Sequence, residues 1–208
     1  MIFTDRIEAG KKLAEVLWAY KRSDVVVYAL PRGGVVLGVE VARMLGAPLD
    51  LLIPRKIGHP SSSEYAIAAV AEDGDIVANE EEVSRVDQVW FKKEVAHQRA
   101  EAKRRREKYL AGRPTSAVEG KTAIIVDDGI ATGLTMKAAI MELKHRKPKK
   151  IVVAIPVIPA DTFTVLSALV DEVVALDKPE QFLGAIGNYY KSFPQVEDEE
   201  VIALMALK

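Results

Sequence analysis

Short apolar runs alternate with segments of helical spacing along most of the chain. Five runs contain many β-branched residues and little polar alternation: residues 25–30, 49–54, 122–126, 151–157 and 172–176. Such runs are typical of strands buried on both faces of a parallel sheet. Apolar residues at helical spacing separate them, in residues 5–20, 35–45, 134–145 and 161–169. This order predicts the α/β class, with a central, mostly parallel, twisted sheet flanked by helices.

Two regions depart from this alternation. Residues 66–71 and 76–78 flank Asp73-Gly74, a pair that favours tight turns, so we expect a hairpin appended to the sheet. Residues 80–112 are expected to be largely helical, and the tail from residue 182 carries aromatic residues before a short helix that begins at Asp198. No repeat or flexible linker divides the 208 residues, which predicts a single domain, 1–208.

The composition narrows the possible chemistry. The chain has no cysteine, which excludes a disulfide framework, a thiolate nucleophile and a cysteine zinc site. His59, His97 and His145 lie far apart and fit no metal-ligand spacing, so we expect surface histidines and no zinc. The formal net charge is -1, and the sequence shows neither a secretory signal nor a membrane span. We therefore expect a cytoplasmic protein with no membrane partner, in which any anion site is local.

The residues from Lys92 to Lys108 contain many basic side chains. They are interleaved with Glu94, Glu101 and Glu107, and no aromatic residues accompany them as they would in a nucleic-acid site. Acidic partners at helical spacing favour a solvated helix or a subunit contact over nucleic-acid binding.

The loop after residues 122–126 has the composition of a sugar-phosphate site. Asp127 and Asp128 follow a buried strand at the end where open α/β sheets bind ligands, and their carboxylates can accept hydrogen bonds from two hydroxyls. Small and hydroxylated residues then allow a tight turn whose N–H groups, at the start of a helix, bind an anion: Gly129, Ala131, Thr132, Gly133 and Thr135. The glycine spacing fits neither a P-loop nor a Rossmann motif. The alternative is an ordinary turn with an aspartate cap.

Two other predicted strand ends carry basic residues. Pro31-Arg32-Gly33-Gly34 follows the first strand, where Arg32 supplies charge and the glycines permit close approach of the backbone. A plain helix start is the alternative there. Arg55 and Lys56 follow the second strand, and the polar residues 61–65 suit either a mobile lid or a surface loop. Because parallel strands end on one edge of a sheet, we expect the three segments to converge.

Residues 124–135, Ile-Ile-Val-Asp-Asp-Gly-Ile-Ala-Thr-Gly-Leu-Thr, resemble the signature of type I phosphoribosyltransferases. The resemblance implies that Asp127 and Asp128 bind the ribose 3′- and 2′-hydroxyls of phosphoribosyl pyrophosphate. It also implies that the loop holds the 5′-phosphate, through Gly129, Ala131, Thr132, Gly133, Leu134 and Thr135. The pyrophosphate loop of the family then corresponds to Pro31, Arg32, Gly33 and Gly34. Arg55-Lys56-Ile57-Gly58 resembles the Arg-Lys-x-Gly segment of adenine phosphoribosyltransferases, where basic residues meet pyrophosphate.

The family resemblance further implies a reaction. Phosphoribose is transferred to a nitrogenous base with release of pyrophosphate, in a homodimer, and Mg2+ is held mainly by the ligand, with Asp127 and Asp128 as the protein groups available to it. A small hood, expected from residues 55–80 and 182–208, reads the base. Tyr65, Tyr189 and Tyr190 could stack on this base or serve as packing residues. The alternative function is a regulatory protein that binds the same donor without turning it over.

Overall fold

The computed structural model describes residues 1–207, apart from the side chain of Glu64, and contains two β-sheets. The strands are β1 (Val25–Ala29), β2 (Leu49–Leu51), β3 (Arg55–His59), β4 (Ser62–Val70), β5 (Ile76–Ala78), β6 (Thr122–Val126), β7 (Lys150–Val157) and β8 (Glu172–Asp177). The central sheet has the order β2-β1-β6-β7-β8, and all of its neighbouring strands pair in parallel. The predicted parallel sheet is thereby confirmed.

Helices cover both faces of the central sheet. They are α1 (Arg6–Val16), α2 (Gly33–Leu45), α3 (Glu80–Ser84), α4 (Gln88–Leu110), α5 (Leu134–His145), α6 (Ala160–Ser167) and α7 (Asp198–Ala206). Residues of α1 and α2 pack on one face with Ile124 and Val126, while α5 and α6 pack on the other face with Ala123 and Ile125. Neighbouring residues of β6 thus belong to different cores, which explains why this strand lacks polar alternation.

Local sequence explains where the first two helices begin and end. The Asp5 carboxylate accepts a hydrogen bond from the Glu8 N–H at 2.8 Å, which caps α1. The Glu8 carboxylate in turn accepts from the Thr4 N–H. α2 ends before Gly46, whose φ of 67° is a left-handed conformation that glycine adopts without strain. α1 is shorter than predicted, because a separate 3-10 turn, Trp18–Tyr20, follows it.

The second sheet consists of β3, β4 and β5 in antiparallel pairs, and it corrects three expectations. The hairpin across Asp73-Gly74 exists, but it belongs to this small sheet and is not appended to the central one. The lid or loop expected at residues 61–65 is largely strand, because β4 begins within it. Arg55 and Lys56 lie in β3 rather than at the end of a parallel strand, since β2 is only three residues long.

Gly58 permits the close return of the chain from β3 to β4. A Cβ atom at this position would lie 2.2 Å from the Ser63 carbonyl oxygen, and the pairing register shifts on both sides of Gly58. The small sheet shares an apolar cluster with α4, in which Ile57, Ile67 and Phe91 are buried. The small sheet therefore has a core of its own beside the central sheet.

Residues 80–112 are helical as predicted, except for a break between α3 and α4 at residues 85–87. Three arginines of α4 pair with carboxylates. Glu101 pairs with Arg104 and Arg105, and Arg106 pairs with Glu72 at 2.7 Å. These ion pairs fit a solvated helix that is tied to the rest of the protein by its own charges.

The tail returns to the first residues of the chain. Phe3 forms an isolated parallel bridge with Tyr190, and its N–H donates to the Tyr189 carbonyl while its carbonyl accepts from the Lys191 N–H. Beyond this bridge, α7 packs against α2 and α4. Within residues 1–207, no helix combines the length and the apolar character needed to cross a membrane.

Candidate functional site

The carboxylate loop, residues 127–133, connects β6 directly to α5. Gly133 precedes the first residue of α5 with a φ of 76°, and Gly129 has a φ of 156°. A Cβ atom at Gly129 would lie 2.6 Å from Ile186 Cγ2, so contact with the tail as well as the backbone conformation requires glycine there. The first N–H groups of a helix lack carbonyl partners within it, and they bind anions when a loop of small residues leads into them.

Hydroxyl groups surround this helix start. Thr132 is exposed and Thr135 is half-buried in the first turn of α5. Thr162 Oγ1 of α6 donates to the Ala131 carbonyl at 3.0 Å, and a Cβ atom at Gly133 would lie 3.1 Å from the Thr162 methyl carbon. α6 thereby supports the loop from the side. Sequence reasoning missed Thr162 because a lone threonine on a later helix carries no motif.

The glycine turn, residues 31–34, lies directly against the two carboxylates. A Cβ atom at Gly33 would lie 1.9 Å from Asp128 Oδ2, and one at Gly34 would lie 2.9 Å from Asp127 Oδ1. The peptide bond between Pro31 and Arg32 is cis. The backbone of the turn thus meets the carboxylate loop, which accounts for glycine at both positions. The structure brings these two predicted segments together.

Arg6 of α1 is a third component of the site. Its Nε lies 2.8 Å from Asp128 Oδ2, its Nη1 donates to the Pro194 carbonyl, and its guanidinium stacks on the Phe193 ring. The Arg6 side chain is only 10% exposed, so this ion pair is weakly screened by solvent. The sequence analysis did not identify Arg6. Its position on the buried face of α1, three residues before Ala9, is the sequence feature that could have indicated a buried arginine.

The electrostatics of Asp127 and Asp128 favour a ligand that donates hydrogen bonds or carries positive charge. Burial, and next the charge of Asp128, raise the pKa of Asp127 well above its usual range. Burial also raises the pKa of Asp128, against the opposing charge of Arg6. The Asp128 N–H donates to Asp127 Oδ1 at 2.8 Å, and the Tyr190 hydroxyl donates to the Asp128 carbonyl at 2.6 Å. One arginine thus faces two carboxylates, so hydroxyl donors or a divalent cation would fit here.

The side chain of Arg32 contacts the N-terminus of α7. Its Nη1 lies 3.3 Å from Glu197 Oε2 and 3.6 Å from Asp198 Oδ1. Asp198 also accepts hydrogen bonds from Lys108 and Tyr109 of α4. The bonds from Lys108 and then Tyr109 lower the pKa of Asp198 to about 2, so this carboxylate stays ionised at neutral pH. The only cation of the glycine turn is therefore held by two carboxylates of the tail.

Arg55 and Lys56 lie in β3 of the small sheet and line a cavity beside α4. Arg55 Nε donates to Gln98 Oε1 at 3.0 Å. Burial, and next the charge of Arg105, lower the pKa of Arg55, and Arg32 acts in the same direction. The strand-end position expected of Arg55 and Lys56 is wrong, and the pyrophosphate contact that the family resemblance implies for them stays a prediction.

The three tyrosines expected to stack on a base occupy different environments. Tyr65 in β4 is 51% exposed. Tyr189 and Tyr190 are 2% and 7% exposed, and they pack against Phe182 and Phe193 respectively. Rings buried to this degree offer no open face to a ligand, which favours packing, the second of the two roles expected of Tyr189 and Tyr190.

A second cluster with metal-ligating groups lies at the far end of α5. His145 Nδ1 lies 3.1 Å from Asp73 Oδ2 and 3.4 Å from Asp75 Oδ2. The bond to Asp73, and next the charge of Asp75, raise the pKa of His145. The 12 residues of α5 separate this cluster from the carboxylate loop by roughly 18 Å at 1.5 Å per residue. It is therefore separate from the site built by the carboxylate loop and the glycine turn.

The central sheet is parallel and covered by helices, and two carboxylates and a helix N-terminus lie at the carboxyl end of one of its central strands. This arrangement is typical of the class of α/β proteins that bind phosphate-containing ligands at strand ends. A family model, that of the phosphoribosyl transferase domain, matches residues 4–173. The chain belongs to this family, and its fold is that of the type I phosphoribosyltransferases.

Similar proteins agree with this assignment. Two curated proteins from Mycobacterium tuberculosis strains CDC 1551 / Oshkosh and H37Rv, both named "Putative phosphoribosyl transferase", are 41% identical over 206 residues. The match covers 98% of this chain and 46% of theirs, so the chain spans less than half the length of these relatives. A crystal structure from Thermus thermophilus has a TM-score of 0.81 and 42% identity, and the match covers 99% of this chain and 98% of that one. A purine phosphoribosyltransferase from Pyrococcus horikoshii shares the fold, with a TM-score of 0.50, 21% identity and coverage of 92% and 93%.

Proposed function

We propose that the protein binds phosphoribosyl pyrophosphate and, with Mg2+, transfers the phosphoribosyl group to the nitrogen of an acceptor, releasing pyrophosphate. The observation that carries this proposal is the contact between the glycine turn and the carboxylate loop, where Gly33 leaves no room for a side chain beside Asp128. Backbone anion sites on both sides of two carboxylates suit a ligand with a phosphate, ribose hydroxyls and a pyrophosphate in that order. Membership of the phosphoribosyltransferase family supports the same proposal.

Each part of the donor has a counterpart in this proposal. Asp127 and Asp128 accept hydrogen bonds from the ribose hydroxyls, and residues 129–135 hold the 5′-phosphate through N–H and hydroxyl groups. The glycine turn and Arg32 meet the pyrophosphate. Because Arg32 is already paired with Glu197 and Asp198, donor binding would exchange part of that contact for the pyrophosphate.

The transfer itself breaks the bond between the anomeric carbon and a pyrophosphate oxygen, and the electron pair leaves with pyrophosphate. A bond forms between this carbon and the acceptor nitrogen, and a proton on that nitrogen, where there is one, passes to water. The transition state has oxocarbenium character, so the protein must stabilise the departing negative charge and exclude water. Arg32 and the N–H groups of the glycine turn would do the first.

The carboxylate loop fits a requirement for Mg2+. Asp127 and Asp128 are hard oxygen donors, and their pKa values are raised by burial and, for Asp127, by the neighbouring charge, which a cation would relieve. When bound, Mg2+ would supply positive charge that neutralises the phosphates of the donor. Most of its ligands would come from the donor and from water, which leaves the two carboxylates available to the ribose.

Thermal unfolding in the presence of donor and Mg2+ tests the binding step. Donor at 100 times its Kd should stabilise the protein by about 2.7 kcal/mol, and each kcal/mol raises Tm by about 2–4 °C for a chain of this size. The double variant Asp127→Asn, Asp128→Asn should fold but lose this shift. Asp24→Asn, which changes a carboxylate that is 74% exposed, is the matched control and should keep it. Wild-type protein that shows no shift would contradict the proposal.

Release of pyrophosphate tests the transfer step. The wild-type protein is incubated with donor, Mg2+ and a panel of purines, pyrimidines and other nitrogen heterocycles, and we expect release that depends on one class of acceptor and on both aspartates. Stabilisation by the donor without release from any acceptor would instead favour a regulatory protein that binds the donor. The homodimer stays a prediction, for which light scattering of the intact protein is the direct measurement.

A further inference from the structure

Arg6 lies where the glycine turn and the carboxylate loop meet. Its Nε is 2.8 Å from Asp128 Oδ2, and a Cβ atom added at Gly33 would lie 1.9 Å from that oxygen and 2.9 Å from the same Nε. The Arg6 side chain is only 10% exposed, so this ion pair lies inside the protein. Arg6 can therefore act on a bound ligand either directly or through Asp128.

The tail fixes the orientation of the Arg6 guanidinium. Its Nη1 donates to the Pro194 carbonyl at 2.6 Å, and its central carbon lies 3.6 Å from the centre of the Phe193 ring. Phe193 in turn contacts Tyr190, whose hydroxyl donates to the Asp128 carbonyl. Because a planar guanidinium carries its N–H groups in a fixed arrangement, these contacts give its bond to Asp128 a defined direction. Asp128 is thus held through its carboxylate and through its backbone by one group of residues.

The hydrogen bonds of the two aspartates leave one oxygen available on each. Asp128 Oδ2 accepts from Arg6, and Asp127 Oδ1 accepts from the Asp128 N–H. These two oxygens also lie against the glycine turn, since a Cβ atom at Gly34 would lie 2.9 Å from Asp127 Oδ1. Asp127 Oδ2 and Asp128 Oδ1 accept no hydrogen bond from residues 1–207, and neither is fully enclosed. A ligand can therefore reach one oxygen of each aspartate.

One available oxygen on each of two adjacent carboxylates suits two hydroxyl donors better than a cation. Each oxygen can accept a hydrogen bond from one of two hydroxyls on neighbouring carbons of a sugar. A divalent cation would bind best to a carboxylate with two available oxygens and to a pair whose double negative charge is not offset. Arg6 occupies one oxygen of Asp128 and offsets part of that charge. Arg6 thus favours one of the two kinds of ligand that the carboxylates alone would accept.

We propose that Arg6 is a positioning residue that determines the specificity of the carboxylate loop. By holding one oxygen of Asp128, it directs the two aspartates toward a pair of sugar hydroxyls and away from direct coordination of a divalent cation. Arg6 does not contact the ligand and acts through Asp128. The inference rests on the proposed function for the identity of the sugar as the ribose of the donor, but the effect of Arg6 on cation binding can be measured without donor.

A double-mutant cycle on donor affinity tests whether Arg6 acts through Asp128. Titration calorimetry with donor and Mg2+ compares the wild type, Arg6→Gln, Asp128→Asn and the double variant. Arg6→Gln should weaken donor binding about tenfold, as the loss of one charge-assisted contact does. In the Asp128→Asn background the same change should alter the affinity by less than about twofold.

Two variants control this cycle. Arg6→Gln alone leaves Asp128 as a buried charge without its partner, which can destabilise the protein, whereas the double variant removes both charges and should fold. Arg43→Gln, which changes an exposed arginine of α2, is the matched control and should bind donor as the wild type does.

Binding of Mn2+ without donor gives a readout of opposite sign. Electron paramagnetic resonance measures the free ion. Arg6→Gln should bind Mn2+ about tenfold more tightly than the wild type, because Asp128 then offers both oxygens and no positive charge lies beside it. Arg6→Lys, which keeps the charge, should stay nearer to the wild type. The double variant with Asp128→Asn should lose the gain, which separates it from Mn2+ bound at Asp73, Asp75 and His145.

Three outcomes would overturn the inference. Donor affinity that Arg6→Gln leaves unchanged is the first. An equal loss in both backgrounds is the second, because Arg6 would then contact the donor itself or only support the fold. Mn2+ binding that Arg6→Gln weakens or leaves unchanged is the third, and it decides the matter if Asp128→Asn alone abolishes donor binding.

The rise in Tm that donor causes in the wild type separates the two proposals. If the donor stabilises the wild type and Arg6→Gln binds it equally well, only the inference about Arg6 fails. If the donor does not stabilise the wild type, the proposed function fails, and the measurement with Mn2+ still decides whether Arg6 disfavours a cation at the aspartates.

Discussion

Asp127 shows, at the scale of one residue, how a ligand site opposes stability. Burial and the adjacent Asp128 raise its pKa well above the usual range, and the positive charge of Arg6 acts in the opposite direction. A carboxyl whose pKa is raised by folding contributes stability below the pKa of the unfolded chain, and this contribution is lost as the pH rises through the folded pKa. The burial of Asp127 beside Asp128 therefore lowers the stability of the unliganded protein at neutral pH.

The direction of this pKa shift leads to a prediction for the Asp127→Asn variant in the absence of ligand. The variant should have a higher Tm than the wild type at pH 7, by about 2–4 °C for each kcal/mol gained. The amide oxygen can still accept from the Asp128 N–H, so the loop keeps its internal hydrogen bond. The gain should shrink as the pH is lowered toward 4 and the wild-type carboxyl takes up its proton. Calorimetry over this pH range checks it, and a lower Tm than the wild type at pH 7 would contradict the prediction.

Gly129→Ala tests the packing of the carboxylate loop against the tail. The new methyl group would lie 2.6 Å from Ile186 Cγ2, in addition to the strain of a φ of 156°. We expect a loss of about 3 kcal/mol in the free energy of unfolding, together with loss of the donor-induced rise in Tm. Gly112→Ala is the control, since Gly112 also has a positive φ, 76°, but a methyl group added there would meet no atom within 4 Å. It should lose only about 1 kcal/mol.

At the scale of single residues, the sequence predicts site residues where they form a pattern of neighbouring positions. Asp127 and Asp128, with the small residues after them, form such a pattern, and so does the glycine turn. Arg6 does not, because a buried arginine on an amphipathic helix is recognised only once its partner, Asp128, is known to be across from it. The role of Tyr190 could not be decided from the sequence, because an aromatic residue in a tail fits both stacking on a ligand and packing. Only its burial in the structure separates the two roles.

At the scale of elements, Asp198 links α7 both to α4 and to the glycine turn. Asp198 accepts hydrogen bonds from Lys108 and Tyr109 and lies 3.6 Å from Arg32. Its pKa is lowered to about 2, chiefly by Lys108. A lowered pKa contributes stability above the unfolded pKa, and the contribution is lost as the pH falls through the folded pKa.

Asp198→Asn should therefore be less stable than the wild type at neutral pH, by about 1 kcal/mol once solvent screening is taken into account. The difference should disappear as the pH falls from about 4 toward 2, where the wild-type carboxyl also becomes neutral. Urea unfolding at several pH values measures this. The neighbouring Glu199→Gln, at an 80% exposed side chain, serves as the control and should stay within about 0.5 kcal/mol of the wild type. A stability difference between Asp198→Asn and the wild type that persists at low pH would refute the role given to the ionised Asp198 carboxylate.

The strands also differ in how well the sequence predicts them. The strands of the central sheet were predictable because both faces are buried, so their apolar character is continuous in the sequence. β3 was not, because Arg55, Lys56 and His59 make it polar and only its pairing with β4 defines it as a strand. Strand formation there depends on tertiary contacts, including the close approach at Gly58, rather than on local propensity.

At the scale of the whole molecule, the two sheets should differ in stability. The central sheet lies between two apolar clusters, whereas β3 and β4 share a smaller one with α3 and α4. A unit with fewer buried apolar contacts opens at lower free energy than the global unfolding. Native-state hydrogen exchange should show faster exchange for amides of β3 than for those of β1 and β6. Equal protection in both sheets would contradict this prediction.

The bridge between Phe3 and the tail has a consequence for any attempt to reduce the protein to a minimal donor-binding fragment. Arg6 reaches both Asp128 and Pro194, and Tyr190 supports the same loop through its hydroxyl, so segments almost 190 positions apart form one structural unit. A fragment trimmed at either side would keep every residue of the carboxylate loop and yet lose the groups that hold it. Deletion mapping would then show a loss of donor affinity when the first residues or the tail are removed. That loss would come from the missing support of the carboxylate loop and not from missing contacts with the donor.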